Sequence, residues 1–191
     1  RQFLADGAIP NMARFVSEGF AAVVDGSMPS FTCPNNMSII TGTPTSKHGI
    51  SGNFYLDTAN WQPVVMTGPE LLRGDTIVTK FAEAGAKVVS ITAKDKLRKQ
   101  LAKGLDVSKG HVSFSSEFAD RCTIAENGIE NILELVGMTK PDMYSMELSL
   151  LVLASGIDLP ETRRPELLYR SQTYWVKSKC IPKEANSGVT P

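Results

Sequence analysis

Lys87–Thr92, KVVSIT, is the stretch that decides the architecture. It is short and rich in β-branched residues, the pattern of a strand buried in a parallel sheet and covered on both faces. Upstream, Thr76–Ala84 reads as a helix. Ile77, Lys80, Phe81 and Ala84 share a face, Thr76 can cap the start, and Gly85 ends it. Downstream, Ala93–Lys99 leaves the carboxyl end of the strand, the side of such sheets where ligands usually bind. Helical periodicity returns over Ile124–Val136 and over Met143–Leu153, the second with Met146, Leu150 and Leu153 on one stripe. Pro165–Ser171, PELLYRS, reads as another strand. Strands alternating with helices predict an α/β fold built from βαβ crossovers, with helices on both faces of the sheet.

Nearer the start, Pro10 opens a helix carrying Ile9, Met12 and Phe15 on one side and stopped by Gly19. Phe20–Val24 is an apolar run suited to a buried strand, and Asp57–Gln62 reads as a turn before Val64–Met66. Between them, Ser27–Asp57 holds the densest set of chemical groups, SMPSFTCPNNMSIITGTPTSKHGISGNFYLD. Thr32 precedes a short helical pattern closed by Thr41-Gly42, which predicts its hydroxyl at a helix N-cap. Pro34 forfeits no helical hydrogen bond in the first turn. A helix start concentrates unpaired N–H donors and positive partial charge, suited to an alkoxide or to phosphate-like oxygens. Lys47–Asn53 follows, with two glycines that let backbone approach a ligand and with Asn53 as a neutral amide donor.

A chain of 191 residues, 42% hydrophobic and 21% charged, has the composition of one globular domain with a real core. Its formal net charge of zero gives no global electrostatic case for nucleic acid or an anionic membrane. The three cysteines, Cys33, Cys122 and Cys180, are too few and too dispersed for a disulfide framework or a CxxC metal site, so a reduced, cytoplasmic setting is expected. The first residues, RQFLADGAIP, lack the order of a signal peptide, and the opening without Met suggests that residues upstream are lost.

PSFTCPNN, TGTPTSKHGISGN and TAKDKLRK, in that order, resemble the phosphonoacetate hydrolases of the alkaline phosphatase superfamily, close to the nucleotide pyrophosphatase/phosphodiesterases. The similarity extends from about Asp6 to Tyr169. It implies a two-zinc enzyme that cleaves the carbon–phosphorus bond of a small phosphonate, giving acetate and phosphate. Thr32 would be the nucleophile and a zinc ligand, Asn53 would bind a phosphonyl oxygen, and Lys94 and Lys96 would hold the substrate carboxylate. Residues two apart on a helix do not point the same way, so Lys94 and Lys96 are expected in an extended or loop segment. A phosphodiesterase or pyrophosphatase of the same superfamily is the alternative; the lysine pair argues against it, because a nucleotide has no carboxylate to bind. The third possibility is a non-catalytic, degenerate fragment or interaction module.

Departures from the family pattern motivate that third possibility. Tyr174 and Ser178 stand where an Asp and a His ligand are expected, and of the metal shell only Thr32 is matched. A single hydroxyl does not hold zinc. The expected plan is therefore a partial alkaline-phosphatase-like sheet over residues 1–171, without its first strand and C-terminal portion, with 94–140 as a candidate cap or lid and 172–191 as a divergent, poorly ordered tail. A dimer or a missing C-terminal portion would complete it. His48, before Gly49-Ile50, is read as a structural hydrogen-bonder, His111 as solvent-facing or distant from substrate, Met143 and Met146 as core filler, and Asn35 and Asn36 as braces of the Thr32 helix.

Overall fold

The computed structural model describes residues 2–172; Tyr174, Ser178 and Cys180, with the tail around them, lie outside the described residues. The helices are α1 (Gln2–Ala5), α2 (Pro10–Glu18), α3 (Thr32–Thr41), α4 (Thr45–His48), α5 (Ile77–Glu83), α6 (Asp95–Leu101), α7 (Ile124–Asn127), α8 (Ile132–Leu135) and α9 (Glu147–Arg163). The strands are β1 (Phe54–Asp57), β2 (Gln62–Val65), β3 (Val88–Thr92), β4 (Val112–Ser115) and β5 (Leu167–Ser171). β1 and β2 form an antiparallel hairpin, with Thr58–Trp61 as its turn. β3 is the centre of a parallel sheet in the order β4-β3-β5, with Ser90 opposite Ser113 on one side and Tyr169 on the other.

KVVSIT behaves as its composition predicts. Every residue of β3 is buried, and alternate side chains enter different cores. Val89 and Ile91 face Phe114, Leu148, Leu151 and Leu159, under α9. Val88 faces Met37, Ile40, Val78, Leu97 and Leu101, the layer made by α3, α5 and α6. Helices thus cover both faces of the sheet, the α/β arrangement expected. Residues 94–140 contribute α6 and β4 to these layers.

Five local expectations are corrected. Phe20–Val24 is not a strand: Phe20 is 93% exposed and the run has no ladder partner among the described residues. The long helix read over Ile124–Val136 is two short ones, because Gly128 closes α7 at a φ of +69° and Asn131 opens α8 at a φ of +53°. A side chain at Gly128 would also strike the carbonyl oxygen of His111. α9 begins at Glu147 and runs to Arg163, and its buried face is Leu148, Leu151, Val152, Ser155 and Leu159, whereas Met146, Leu150 and Leu153 point outward. In α5 the buried positions are Val78 and Thr79, with Ile77 and Phe81 exposed; Thr76 does cap it, within a reciprocal pair with Thr79. Of the two readings of His111 the solvent-facing one fails, since it is 4% exposed and its Nδ1 accepts from the amide of Val88 at 3.2 Å; the reading as distant from substrate is untouched by this.

The two kinds of apolar position should separate in a denaturation experiment. Leu151→Ala, in the core beneath α9, is expected to cost about 2–5 kcal/mol. Phe20→Ser, on the exposed run, should change stability by less than about 0.5 kcal/mol. Urea midpoints of the purified variants check both, and a large loss from Phe20→Ser would show that this run is covered.

A candidate site at the carboxyl ends of the parallel strands

β3 and β5 end at one opening. Ala93 and Lys94 leave β3, Ser171 ends β5, and the first turns of α3 and α6 converge on the same place. The resulting cleft has a volume of about 380 Å³ and is lined by Thr32, Cys33, Asn53, Lys94, Lys96, Glu117, Met143 and Tyr144, among others. All four residues picked from the sequence, Thr32, Asn53, Lys94 and Lys96, therefore meet in one cleft. A larger hollow of about 590 Å³, bounded by Ile129, Asn131 and Arg163, gathers none of them.

Thr32 is not the N-cap. Phe31 takes that position, with extended φ/ψ, and Thr32 is the first helical residue, exposed to the cleft. The Thr32 hydroxyl is therefore not committed to capping: among the described residues it makes no hydrogen bond to the α3 amides. The first intrahelical bond runs from Asn35 N to Phe31 O, so the amides of Thr32 and Cys33 precede the ladder and Pro34 has none to offer. Asn35 and Asn36 brace this start as expected. Asn35 Oδ1 accepts from Ser27 N at 2.8 Å while its Nδ2 donates to Phe31 O at 2.9 Å. Asn36 Nδ2 donates to Thr32 O at 2.8 Å, and Asn36 Oδ1 accepts from the Tyr169 hydroxyl at 2.8 Å, which ties β5 to the backbone of Thr32. Burial pushes the Tyr169 hydroxyl up to about 12, so it remains a donor across the accessible pH range.

Asn53 reaches the cleft through His48. Ile50 N donates to His48 Nδ1 at 3.1 Å, which leaves the ring hydrogen on Nε2 to donate to Ser38 Oγ at 3.0 Å. This joins α3 to the loop that follows α4, where Gly49 turns at a φ of +86° against the carbonyl of Leu71. The structural reading of His48 thus accounts for both of its nitrogens. Asn53 Oδ1 accepts from Lys96 Nζ at 2.7 Å. Because an ammonium can only donate, that bond fixes which end of the amide is taken, and the Nδ2 hydrogens are the end left to a ligand.

Lys94 lies in an extended segment as expected, whereas Lys96 does not. Lys94 is the extended N-cap of α6 and Lys96 lies in its first turn. They reach the same cleft because one precedes the helix and the other belongs to it, so the helical divergence of neighbours two apart does not apply. Lys94 Nζ donates to Met143 O at 3.2 Å, also touches Met143 Sδ, and stands 4.5 Å from the centre of the Tyr144 ring. Burial lowers its pKa, opposed by the charge of Glu117. Met143 is accordingly a wall of the cleft, not core filler. Burial raises the Cys33 thiol, with the Lys96 ammonium nearby working the other way, so Cys33 is no thiolate nucleophile.

Glu117, Met143 and Tyr144 were not legible as site residues. Glu117 lies two residues past the end of β4, so the rule that ligands gather at carboxyl ends of parallel strands would have found it had β4 been recognised. Its Oε2 accepts from Asp95 N at 2.8 Å, capping α6. Asp95 is itself buried; burial opposes its charge, but the hydrogen bonds and charges of Arg98 and Lys99 outweigh that and hold its pKa below the usual carboxylate value. Nothing in the sequence around Met143 and Tyr144 marks them.

The zinc pair that the resemblance implies does not fit this donor set. Among the described residues no group of three or more His, Cys, Asp or Glu is placed to hold a metal ion. His48 and His111 are engaged on backbone amides, and Glu117 is engaged on α6. Tyr174 and Ser178 lie outside the described residues. No helix among the described residues is long and apolar enough to cross a membrane.

The cleft at the carboxyl ends of the parallel strands thus brings together a helix N-terminus, a hydroxyl and two ammonium groups, a donor set complementary to a small anion. The chain belongs to the type I phosphodiesterase / nucleotide pyrophosphatase family, whose model matches residues 1–166. It is similar to phosphonoacetate hydrolase from Sinorhizobium meliloti 1021, solved in complex with phosphonoacetate: 40% identity over 90% of this chain and 42% of that one, with a TM-score of 0.84. The same hydrolase in complex with phosphonoformate matches at 41% identity over 88% of this chain and 41% of that chain, again with a TM-score of 0.84. The α/β fold of the alkaline-phosphatase kind expected from the sequence is thus the fold observed. This chain spans 42% of the length of the hydrolase solved with phosphonoacetate.

Burial depresses the pKa of both His48 and His111 below the ordinary 6.5. The unfolded chain then binds protons that the folded chain refuses, so stability should hold near neutrality and fall as pH drops below about 6.5. Melting temperatures between about pH 7.5 and pH 5.5 check this, and the His48→Asn/His111→Asn double variant should flatten the slope. An unchanged slope would assign the titration to other groups.

Proposed function

We propose that this chain carries the nucleophile and substrate-binding residues of a phosphonoacetate hydrolase, which converts phosphonoacetate and water to acetate and phosphate. The observation that supports it most is the meeting of Thr32, Asn53, Lys94 and Lys96 in one cleft beside the start of α3. In this reading the phosphonyl oxygens lie against the Thr32 and Cys33 amides and Asn53 Nδ2, and the carboxylate lies toward Lys94 and Lys96. Thr32 Oγ forms the new bond to phosphorus as the carbon–phosphorus bond breaks. The electron pair leaves on the acetate carbon and spreads into its carboxylate, so the lysines would act where charge accumulates, stabilising the transition state more than the ground state. The proton lost by the Thr32 hydroxyl is balanced by the one taken up at that carbon, which gives acetate; water then hydrolyses the Thr32–phosphorus ester, releasing phosphate and restoring the hydroxyl.

A threonine hydroxyl is a weak nucleophile at its own pKa and needs activation, which zinc would supply in the family. The described donor set does not fit zinc, so no step is routed through it. That mismatch supports a second reading, in which this chain binds the anion without turning it over. The family model favours a third, hydrolysis of a phosphodiester or pyrophosphate. The two lysines weigh against it, since such substrates carry no carboxylate.

Phosphate release from phosphonoacetate by the full protein in zinc-containing buffer should exceed nitrophenol release from a nitrophenyl phosphodiester. It should fall by at least roughly 10³-fold in Thr32→Ala. Turnover retained in Thr32→Ala would overturn the nucleophile assignment, and a preference for the diester would favour the phosphodiesterase reading. Calorimetric binding of two zinc ions to the 191-residue chain would refute the non-catalytic reading.

A further inference from the structure

Lys94 and Lys96 have different surroundings although only one residue separates them. Lys96 is bonded to Asn53 and close enough to Cys33 to act on its thiol, which puts it at the end of the cleft beside Thr32. Lys94 has the Met143 carbonyl, the Met143 sulfur and the face of the Tyr144 ring. None of these is anionic; the charge of Glu117 acts on Lys94, but its Oε2 accepts from the amide of Asp95 and among the described residues it makes no salt bridge to Lys94 within 4.0 Å. A ring face attracts an ammonium without neutralising it, so the Lys94 charge remains available to a ligand while its position is restrained.

We propose that Met143 and Tyr144 are the specificity-determining wall of the cleft, holding the Lys94 ammonium so that it accepts a carboxylate only at a set distance from the phosphonyl group. The proposal rests on the reading of the cleft as a phosphonoacetate site. A lysine stem has four flexible carbons, so Lys94 alone could follow a carboxylate placed nearer or farther. Pinned between a carbonyl and a ring, it cannot. Discrimination by substrate length is a difference of affinities, and here it follows from restraint on the binding group, not from added contacts to the substrate.

The test is calorimetric binding to the purified chain of three probes: phosphonoacetate, 3-phosphonopropionate, which is one methylene longer, and methylphosphonate, which lacks the carboxylate. Wild type should bind phosphonoacetate roughly tenfold more tightly than the longer acid, the scale on which one methylene is usually discriminated. Tyr144→Ala should reduce that ratio to about two or less, while methylphosphonate affinity stays within about twofold. Tyr144→Phe, which keeps the ring, should keep the ratio. The Lys94 Cε protons, shifted upfield by the ring current in wild type, should move toward random-coil positions in Tyr144→Ala and not in Tyr144→Phe. Equal losses for all three probes in Tyr144→Ala would make the residue merely structural and overturn the proposal. An unchanged ratio with a lost ring shift would also overturn it, by separating the restraint from selectivity. If wild type binds methylphosphonate as tightly as phosphonoacetate, Lys94 does not read a carboxylate and the wall has nothing to select. If wild type binds none of the probes, the phosphonoacetate reading itself fails.

Discussion

Burial of β3 on both faces is the constraint from which the rest of the molecule follows. Val89 and Ile91 are fixed in the core under α9, and Val88 in the core under α3, α5 and α6. A slip of one residue would exchange these faces and set Ser90 and Thr92 against Phe114 and Leu151. With that register set, the chain must leave the sheet at Ala93. The ammonium of Lys94, the start of α6 and the end of β5 then fall at the same opening. The site is a consequence of where a two-sided strand stops.

Short-range polar bonds convert that placement into defined geometry. Tyr169 holds Asn36, which holds the backbone of Thr32; His48 joins α3 to the loop leading to Asn53; Lys96 orients the Asn53 amide; Glu117 caps α6 beside Lys94. Charge follows the same economy. The chain is neutral as a whole, yet the cleft presents two ammonium groups and a helix N-terminus against one carboxylate, which is already engaged on a backbone amide. Local arrangement, and not net charge, supplies the positive groups on which the proposed anion binding rests.

The parts legible in the sequence were those governed by local rules. KVVSIT could be read as a buried strand because residues of both parities are apolar or small, and Thr76 as a cap because its partner is three residues away. The four cleft residues were found through three sequence blocks whose resemblance to a family outweighed any single-residue signal. What failed depended on tertiary context. Phe20–Val24 has strand composition, but composition does not supply a neighbouring strand. The outward stripes of α5 and α9 are as apolar as the buried ones, so periodicity could not choose between them. Gly128 closes α7 in a left-handed conformation, and the carbonyl of His111, 17 residues away in sequence, leaves no room there for a side chain. The Met143–Tyr144 wall faces Lys94 across the fold and has no local signature at all.

The central claim is that the opening at the ends of β3 and β5 takes a small molecule with a phosphonyl group at one end and a carboxylate at the other. Titration of the isotope-labelled chain with phosphonoacetate, followed by amide and lysine side-chain resonances, tests it most directly. Saturable shifts are expected at Thr32, Cys33, Asn53, Lys94 and Lys96, with Glu130 and Arg163 in the larger hollow unmoved. Saturable shifts confined to Glu130, Asn131 and Arg163, or none at the two lysines, would contradict it.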